Sequence, residues 1–327
     1  MTLAIVLLAA GHGTRMNSKK QKILHTVGGK AMFLHVFEEA EEAADLRPVL
    51  VVAPGETGIH SLVRERAQYA EQPERLGTGH ATMMAMYLLQ GQSDQVLVTY
   101  GDMPLLRAET MAKLARKQAD TGAALSMFTI DGPPQSTFGR VMRDDAGNVR
   151  EIVEVAQARR MPDGDKIINV PELNVGVYCF EASFLWQNLP HLPLRQARSG
   201  QEYYLTDMVE IAVKQGRAVV AIKGQDPDEG LGAGTRAEMV QVERAFQRRT
   251  NNYWLENGVT LVDPDSTYID DTVQIGQDTV IWPNSYLHGD TIIGQDCEIG
   301  PSVVLRDVTV SDGARVNPFT HQEGGIF

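Results

Sequence analysis

The sequence predicts an α/β domain built on a mostly parallel sheet, followed by a connector helix and a short parallel β-helix. Two observations carry that reading. Over residues 1–225, short β-branched runs alternate with stretches of helical periodicity, the pattern of strands joined by helical crossovers. Beyond residue 258 the texture changes: Ile269, Ile275, Ile281, Leu287, Ile293, Ile299 and Leu305 recur every six residues, with glycine at 276, 294 and 300.

The strands expected of the first domain run over 3–8, 48–53, 95–100, 123–130, 175–180 and 218–222. They are near-continuous apolar runs, as suits a sheet covered on both faces. Helices are expected near 31–44, 57–67, 79–91, 107–121 and 205–216, long enough to serve as crossovers. In the first of them Phe33, Val36, Phe37 and Ala40 recur at three- and four-residue spacing, while Glu38, Glu39, Glu41 and Glu42 gather toward the other side. Those glutamates read as a solvated face, not a metal site. An acidic, glycine-rich loop follows at 225–236, then a helix with Met239, Val242, Ala245 and Phe246 along one side. The expected divisions are 1–228, a loop and connector helix over 229–257, and the repeats over 258–327. Hexapeptide repeats place one aliphatic side chain per short strand inside a triangular coil of about 18 residues per turn. The register shortens by one residue to Val310 and Val316. So few turns leave an end open, and partner chains or further residues are expected to cover it.

Thirty Lys and Arg against 42 Asp and Glu give a net charge of −12, which argues against a surface built for nucleic-acid phosphates. Hydrophobic content of 43% and charged content of 22% are those of a globular protein, and no apolar run reaches the ~18 residues of a membrane span. The first residues lack the basic flank of a signal peptide, so the cytoplasm is the expected compartment. Two cysteines, Cys179 and Cys297, support neither a disulfide framework nor a zinc site and are expected as buried thiols.

The strongest motif follows the first strand: the loop from Leu8 to Met16 carries Gly11 and Gly13, with Arg15, Lys19, Lys20 and Lys22 close behind. A glycine-rich turn lets backbone N–H groups approach a phosphate, and the cations can neutralise charge on a transferring phosphoryl group. Met16 stands where a dinucleotide fingerprint needs its third glycine, and the Gly-Lys-Ser/Thr of a P-loop is absent. Asp102 sits where an apolar strand ends, the usual edge for ligands in open α/β sheets, and a carboxylate there can hold a hard cation such as Mg²⁺ against phosphate oxygens.

Taken in order, the Leu8 to Met16 loop, Gln21 to His25, Leu76 to Ala81, Tyr100 to Leu105, Gly139-Arg140, Ile152 to Glu154, Asn174, Glu202 to Asp207 and the six-residue repeat resemble the bifunctional N-acetylglucosamine-1-phosphate uridyltransferase/glucosamine-1-phosphate acetyltransferase family of bacterial cell-wall precursor synthesis. The resemblance implies a Rossmann-like nucleotidyltransferase domain ahead of a left-handed parallel β-helix, and a homotrimer. It implies that Ala10, Gly11 and Gly13 face the nucleotide, that Arg15 and Lys22 hold the triphosphate and act in catalysis, and that Gln72 and Gly77 read the uracil edge. A glutamine amide offers both the donor and the acceptor that an imide edge needs. Thr78, Tyr100, Gly139, Glu154 and Asn174 are implied contacts of the amino-sugar phosphate, with Tyr204 closing that pocket and Asp102 binding Mg²⁺. Glu154 can equally be a surface charge on an edge strand. His12, His25 and His80 are expected as structural histidines. The implied reaction joins UTP and N-acetylglucosamine 1-phosphate to give UDP-N-acetylglucosamine and pyrophosphate.

The sequence departs from the family pattern in four places. Val155 to Ala158 replaces a Gln-Lys-Asp run, removing a cation near the sugar phosphate; Val175 replaces a threonine; and Gly234 stands where the family has a second metal-binding residue, an asparagine. The coils that carry acetyl transfer lie beyond those present, so that activity is not expected of this sequence. A nucleotide- or sugar-binding paralogue without catalysis, or with altered specificity, is the alternative these changes leave open.

Overall fold

The computed structural model describes residues 1–11, 13–196 and 200–327. Contacts divide them into two compact units, Met1–Leu24 with Met32–Gly234, and His25–Ala31 with Thr235–Phe327.

The first unit is built on a sheet of nine strands among the described residues: β1 (Leu3–Leu8), β2 (Val49–Val52), β3 (Gln68–Glu71), β4 (Gln95–Tyr100), β5 (Leu125–Asp131), β6 (Gly139–Arg143), β7 (Val149–Val153), β8 (Glu172–Glu181) and β9 (Val219–Lys223). The order is β9-β5-β8-β4-β1-β2-β3, with β6 and β7 extending from β8. Pairing is parallel throughout β4-β1-β2-β3 and between β9 and β5. It is antiparallel where β8 lies between β4 and β5. Alternate residues of β1 serve opposite cores, as the two-residue period of a strand requires. Ala4 and Val6 pack with Leu89, Leu185 and Met208, whereas Leu3, Ile5 and Leu7 pack with Phe33, Phe37 and Leu114. Each buried aliphatic contributes about 1.5–3 kcal/mol relative to exposure, so the doubly covered strands anchor the unit.

β3, β6 and β7 were not expected as strands. β3 is half-exposed at the sheet edge, and β6 and β7 carry Arg140, Arg143, Arg150 and Glu151 in an extension of the sheet, so none shows the apolar run of a covered strand. The glutamate face of the helix Met32–Ala43 is only partly a solvated one. Glu39 accepts a 2.6 Å hydrogen bond from the Ala108 N–H at the start of the helix Ala108–Thr121, and Glu41 pairs with Arg66. Both cysteines are free and buried, and burial pushes the Cys179 thiol up.

In the second unit the helix Arg236–Glu256 opens on a capping residue, Thr235, whose hydroxyl accepts the Glu238 N–H. Its buried amides Gln247 and Asn251 donate to the carbonyls of Pro264 and Thr267, and Gln247 also to that of Asp265. The repeats then form three parallel sheets, the sides of a β-helix. Ile269, Leu287 and Leu305 stack on one side, Ile275, Ile293 and Val310 on the next, and Ile281, Ile299 and Val316 on the third. Successive coils advance by 18 residues until Leu305, after which Ile293 pairs with Val310 and Ile299 with Val316, a step one residue shorter. At the corners the buried hydroxyls of Thr279, Ser285 and Thr291 donate to nearby carbonyls, so the polar groups of the turns are satisfied inside.

The units do not divide where the loop composition changes. Residues 229–234 stay with the first unit, because the Glu229 carboxylate accepts from Arg107 N–H and Ala233 N–H donates to the Asp102 carbonyl. Residues 25–31 belong to the second, where Gly28 N–H reaches the Glu243 carboxylate and Asp271 N–H the Gly28 carbonyl. No helix among the described residues is long and apolar enough to cross a membrane.

Candidate active site

β1 and β4 run in register from Leu3 and Gln95 to Leu8 and Tyr100, so their carboxyl ends coincide. Gly101 N–H donates to the Leu8 carbonyl at 3.0 Å, and the two loops leave the sheet side by side. Ala10 is buried at the start of the first loop, and among the described residues nothing lies within 4 Å of a β-carbon placed on Gly11. Gly13 has a φ of 66°, and a β-carbon on it would stand 2.3 Å from the Lys22 Cβ. Only glycine permits both the conformation and the approach. Arg15 is exposed in a short turn anchored by the buried Met16, and it makes no ion pair among the described residues. Lys22 Nζ pairs with the Asp102 carboxylate, both side chains being less than one-fifth exposed. The segment 231–234 runs beside this pair: a β-carbon at Gly232 would be 3.9 Å from the Asp102 carboxylate. Gly234 itself is buried. His12 lies outside the described residues.

Gln72 follows β3, with its N–H on the Val52 carbonyl, and is buried. Its amide nitrogen donates to the Gly77 carbonyl at 3.2 Å and lies 3.1 Å from His80 Nδ1. The outward-facing donor expected of this amide is therefore already engaged within the protein, and only Oε1 lacks a partner among the described residues. Thr78 Oγ1 accepts the Leu205 N–H at 3.0 Å, which ties the Gly77–Met84 helix to the segment carrying Tyr204.

Tyr100, Gly139, Glu154, Asn174 and Tyr204 form a second group. Gly139 pairs with Asn174 across β6 and β8, and a β-carbon on Gly139 would lie 3.3 Å from the Glu154 carboxylate. Gly176, at a φ of 86°, leaves room for the Tyr100 ring, which a β-carbon there would strike at 2.1 Å. The pairing of β8 with β5 shifts between Asn174 and Tyr178, an irregularity of the kind that re-aims side chains beside sites. Asn174 Oδ1 accepts from the Tyr178 hydroxyl at 2.7 Å and from Gly176 N–H at 3.3 Å.

Burial, then the Asp207 carboxylate, pushes Glu154 above the usual carboxylate range, so it is not a solvated edge charge. Burial, then Glu154 and Asp102, raises the Tyr100 phenol. Burial, then the carboxylates of Glu202, Glu154 and Asp207, raises Tyr204, with Arg160 opposing. Arg195 grips Asp207 through two bonds of 2.9 and 3.0 Å. A half-buried carboxylate without a partner among the described residues is costly to a fold and common at binding sites.

Three supporting residues carried no assigned role in the sequence reading: Tyr178, Asp207 and Arg140. Arg140 is fully buried and donates to the carbonyls of Pro134, Ser136, Phe138 and Ile168, so it pins the loop before β6 to the end of the helix Gly164–Ile168. An arginine directly after Gly139 in a short strand was its only signal.

Residues 5–168 match the model of the MobA-like NTP transferase domain, and residues 272–307 match the bacterial transferase hexapeptide (six repeats). The chain is 41% identical over 315 residues to the bifunctional protein GlmU of Latilactobacillus sakei, spanning 96% of this chain and 67% of the relative. The chain belongs to the GlmU family. The GlmU of Enterococcus faecalis is 38% identical across 97% of this chain and 71% of its own length. A Bacillus anthracis crystal structure described as a glucose-1-phosphate thymidylyltransferase shares the fold, with a TM-score of 0.59 at 15% identity, over 74% of this chain and 94% of that one. As in the GlmU family, the first unit is a sugar-1-phosphate nucleotidyltransferase and the second a left-handed β-helix of hexapeptide repeats.

Because the folded-state pKa of Glu154 is raised, the native state holds its proton more tightly than the unfolded chain, and stability falls as pH rises from the unfolded value through the folded one. Glu154→Gln removes that loss. Thermal unfolding is expected to show the variant above the parent at pH 7 and the difference to vanish well below the ordinary glutamate value.

Proposed function

We propose that the first unit transfers the uridylyl group of UTP to N-acetylglucosamine 1-phosphate, releasing pyrophosphate and forming UDP-N-acetylglucosamine. The observation that carries this reading is the Lys22 to Asp102 pair at the joined ends of β1 and β4, with the Tyr100, Glu154 and Asn174 group beside it. The family membership supports it.

The nucleophile is an oxygen of the sugar phosphate, already anionic at neutral pH. It attacks the α-phosphorus of UTP while the bond from that phosphorus to the bridging oxygen breaks and pyrophosphate leaves. No covalent enzyme intermediate is needed, so catalysis rests on alignment and on neutralising charge at the transferring group. Gly11 leaves the loop backbone open to phosphate oxygens, Gly13 lets the loop close on Lys22, and Arg15 and Lys22 bring positive charge. Glu154, Asn174, Thr78, Gly139 and Tyr204 hold the sugar phosphate, with Tyr100 beneath.

The donor set suits Mg²⁺, which takes one or two protein carboxylates and fills its shell with phosphate oxygens and water. Asp102 offers hard oxygens at a strand end, beside the 231–234 segment, and no group of three or more metal-binding side chains exists among the described residues. Asp102 would hold the ion, which when bound withdraws charge from the phosphate oxygens. The run Val155 to Ala158 favours a second reading, a different amino sugar, and Gly234 weakens metal retention. We also infer a homotrimer through the second unit, supported by the exposed Trp282, Tyr286 and Ile292 on its coils.

Pyrophosphate release across UTP, dTTP, CTP and GTP with several sugar 1-phosphates tests the assignment: UTP with N-acetylglucosamine 1-phosphate is expected to give the highest kcat/KM, and another pair in first place replaces it. Asp102→Asn is expected to lower kcat by about 100-fold or more while leaving the melting curve cooperative, since it removes charge at the transferring phosphate without changing volume. Sedimentation equilibrium is expected to report a trimer, and a monomer at every concentration contradicts it.

A further inference from the structure

The Gln72 amide is held by two contacts whose chemistry fixes which end faces where. A glutamine side-chain nitrogen carries two protons and accepts nothing, and a backbone carbonyl only accepts. The 3.2 Å contact to the Gly77 carbonyl therefore places nitrogen, not oxygen, on that side. The same nitrogen lies 3.1 Å from His80 Nδ1, so that ring atom must be the acceptor and the imidazole is neutral, with its proton on Nε2. With both protons committed, the planar amide turns Oε1 the other way, and that oxygen has no partner among the described residues. Gln72 is buried, and its own N–H is fixed on the Val52 carbonyl at 2.8 Å, so the side chain has little freedom to answer a ligand by turning.

We propose that His80 is a positioning residue for base choice: by holding the Gln72 amide nitrogen, it presents the nucleotide base with an acceptor and nothing else. The proposal rests on the reading that Gln72 faces the base. An acceptor at that place suits a base with N–H at the centre of its pairing edge, as uracil, thymine and guanine have. Cytosine and adenine bring a lone pair there, which Oε1 repels. The selection thus lies in an acceptor, carried on a buried side chain, that cannot change sign, and a site of that kind rejects a mismatched partner more strongly than an adaptable one. The carbonyl of Gly77 supplies one restraint and His80 the other. Removing His80 leaves the amide free to turn at the cost of one contact instead of two.

Equilibrium titration of the full chain with UTP and with CTP, each in the presence of Mg²⁺, gives the ratio of their dissociation constants. His80→Ala is expected to lower the preference for UTP about tenfold, the worth of one neutral hydrogen bond. His80→Asn, whose Oδ1 can stand near the place of Nδ1, is expected to keep the ratio within about twofold of the parent. Gln72→Ala is expected to lose the preference, and His80→Ala added to it to change nothing further. A ratio that falls with Gln72→Ala and stays with His80→Ala overturns the role of His80 and leaves the base reading standing. A ratio untouched by Gln72→Ala overturns the base reading and the proposal with it. Equal losses from His80→Ala with and without Gln72 overturn the coupling. Should the alanine variant fail to fold, His80→Leu, bulky but without an acceptor, takes its place.

Discussion

The parallel pairing of β1 with β4 is the constraint on which the site depends. Six residues of each strand stay in register, so Leu8 and Tyr100 end level, and the loops that follow must emerge together. Lys22 and Asp102, 80 positions apart in sequence, meet because of that level ending. A slip of one residue would exchange the faces of Leu3, Ile5 and Leu7 with those of Ala4 and Val6, and both cores oppose it. The placement of the charged pair is thus enforced by apolar packing on either side of the sheet.

Much of the fold was legible because the covered strands are short, β-branched apolar runs set between stretches of helical periodicity. β1 and β4 span the residues expected, and the six-residue aliphatic register maps onto three stacked sheets, including the shortened step to Val310 and Val316. β3, β6 and β7 escaped because one face of each meets solvent or charged neighbours, which mixes arginine and glutamate into the run. The antiparallel course of β8 is a property of long-range pairing that its own residues do not encode.

The site was legible in composition and less so in orientation. Residue types and order singled out the Leu8 to Met16 loop, the strand-end carboxylate of Asp102 and the Tyr100, Glu154 and Asn174 group, and the structure brings Lys22 to Asp102 and Gly139 to Glu154 and Asn174. No sequence pattern reveals which end of an amide faces outward, and Gln72 shows why: its partners, Gly77 and His80, lie on the following helix, and only their geometry fixes the sign of what is left. Tyr178 stands behind Asn174 in the same way, four residues on but across a strand irregularity. The glutamates of the first helix mark the opposite limit, since Glu39 reads as surface until the N–H of Ala108 is placed against it.

The second unit draws its parts from both ends of the chain, and this bears on the order in which a ribosome delivers them. Residues 25–31 leave the exit tunnel early, yet the helix bearing Glu243 and Phe246 and the coil bearing Asp271 appear only after the whole of 32–234 has been made. Pairing across such a span is slow to close. During synthesis the short hairpin Thr26–Val27/Lys30–Ala31 must wait, bridged only to itself, while the first unit is being made. A nascent chain of this protein can therefore complete the first unit before the second, and the hairpin can find its seat only once the residues from Glu243 to Asp271 have been made.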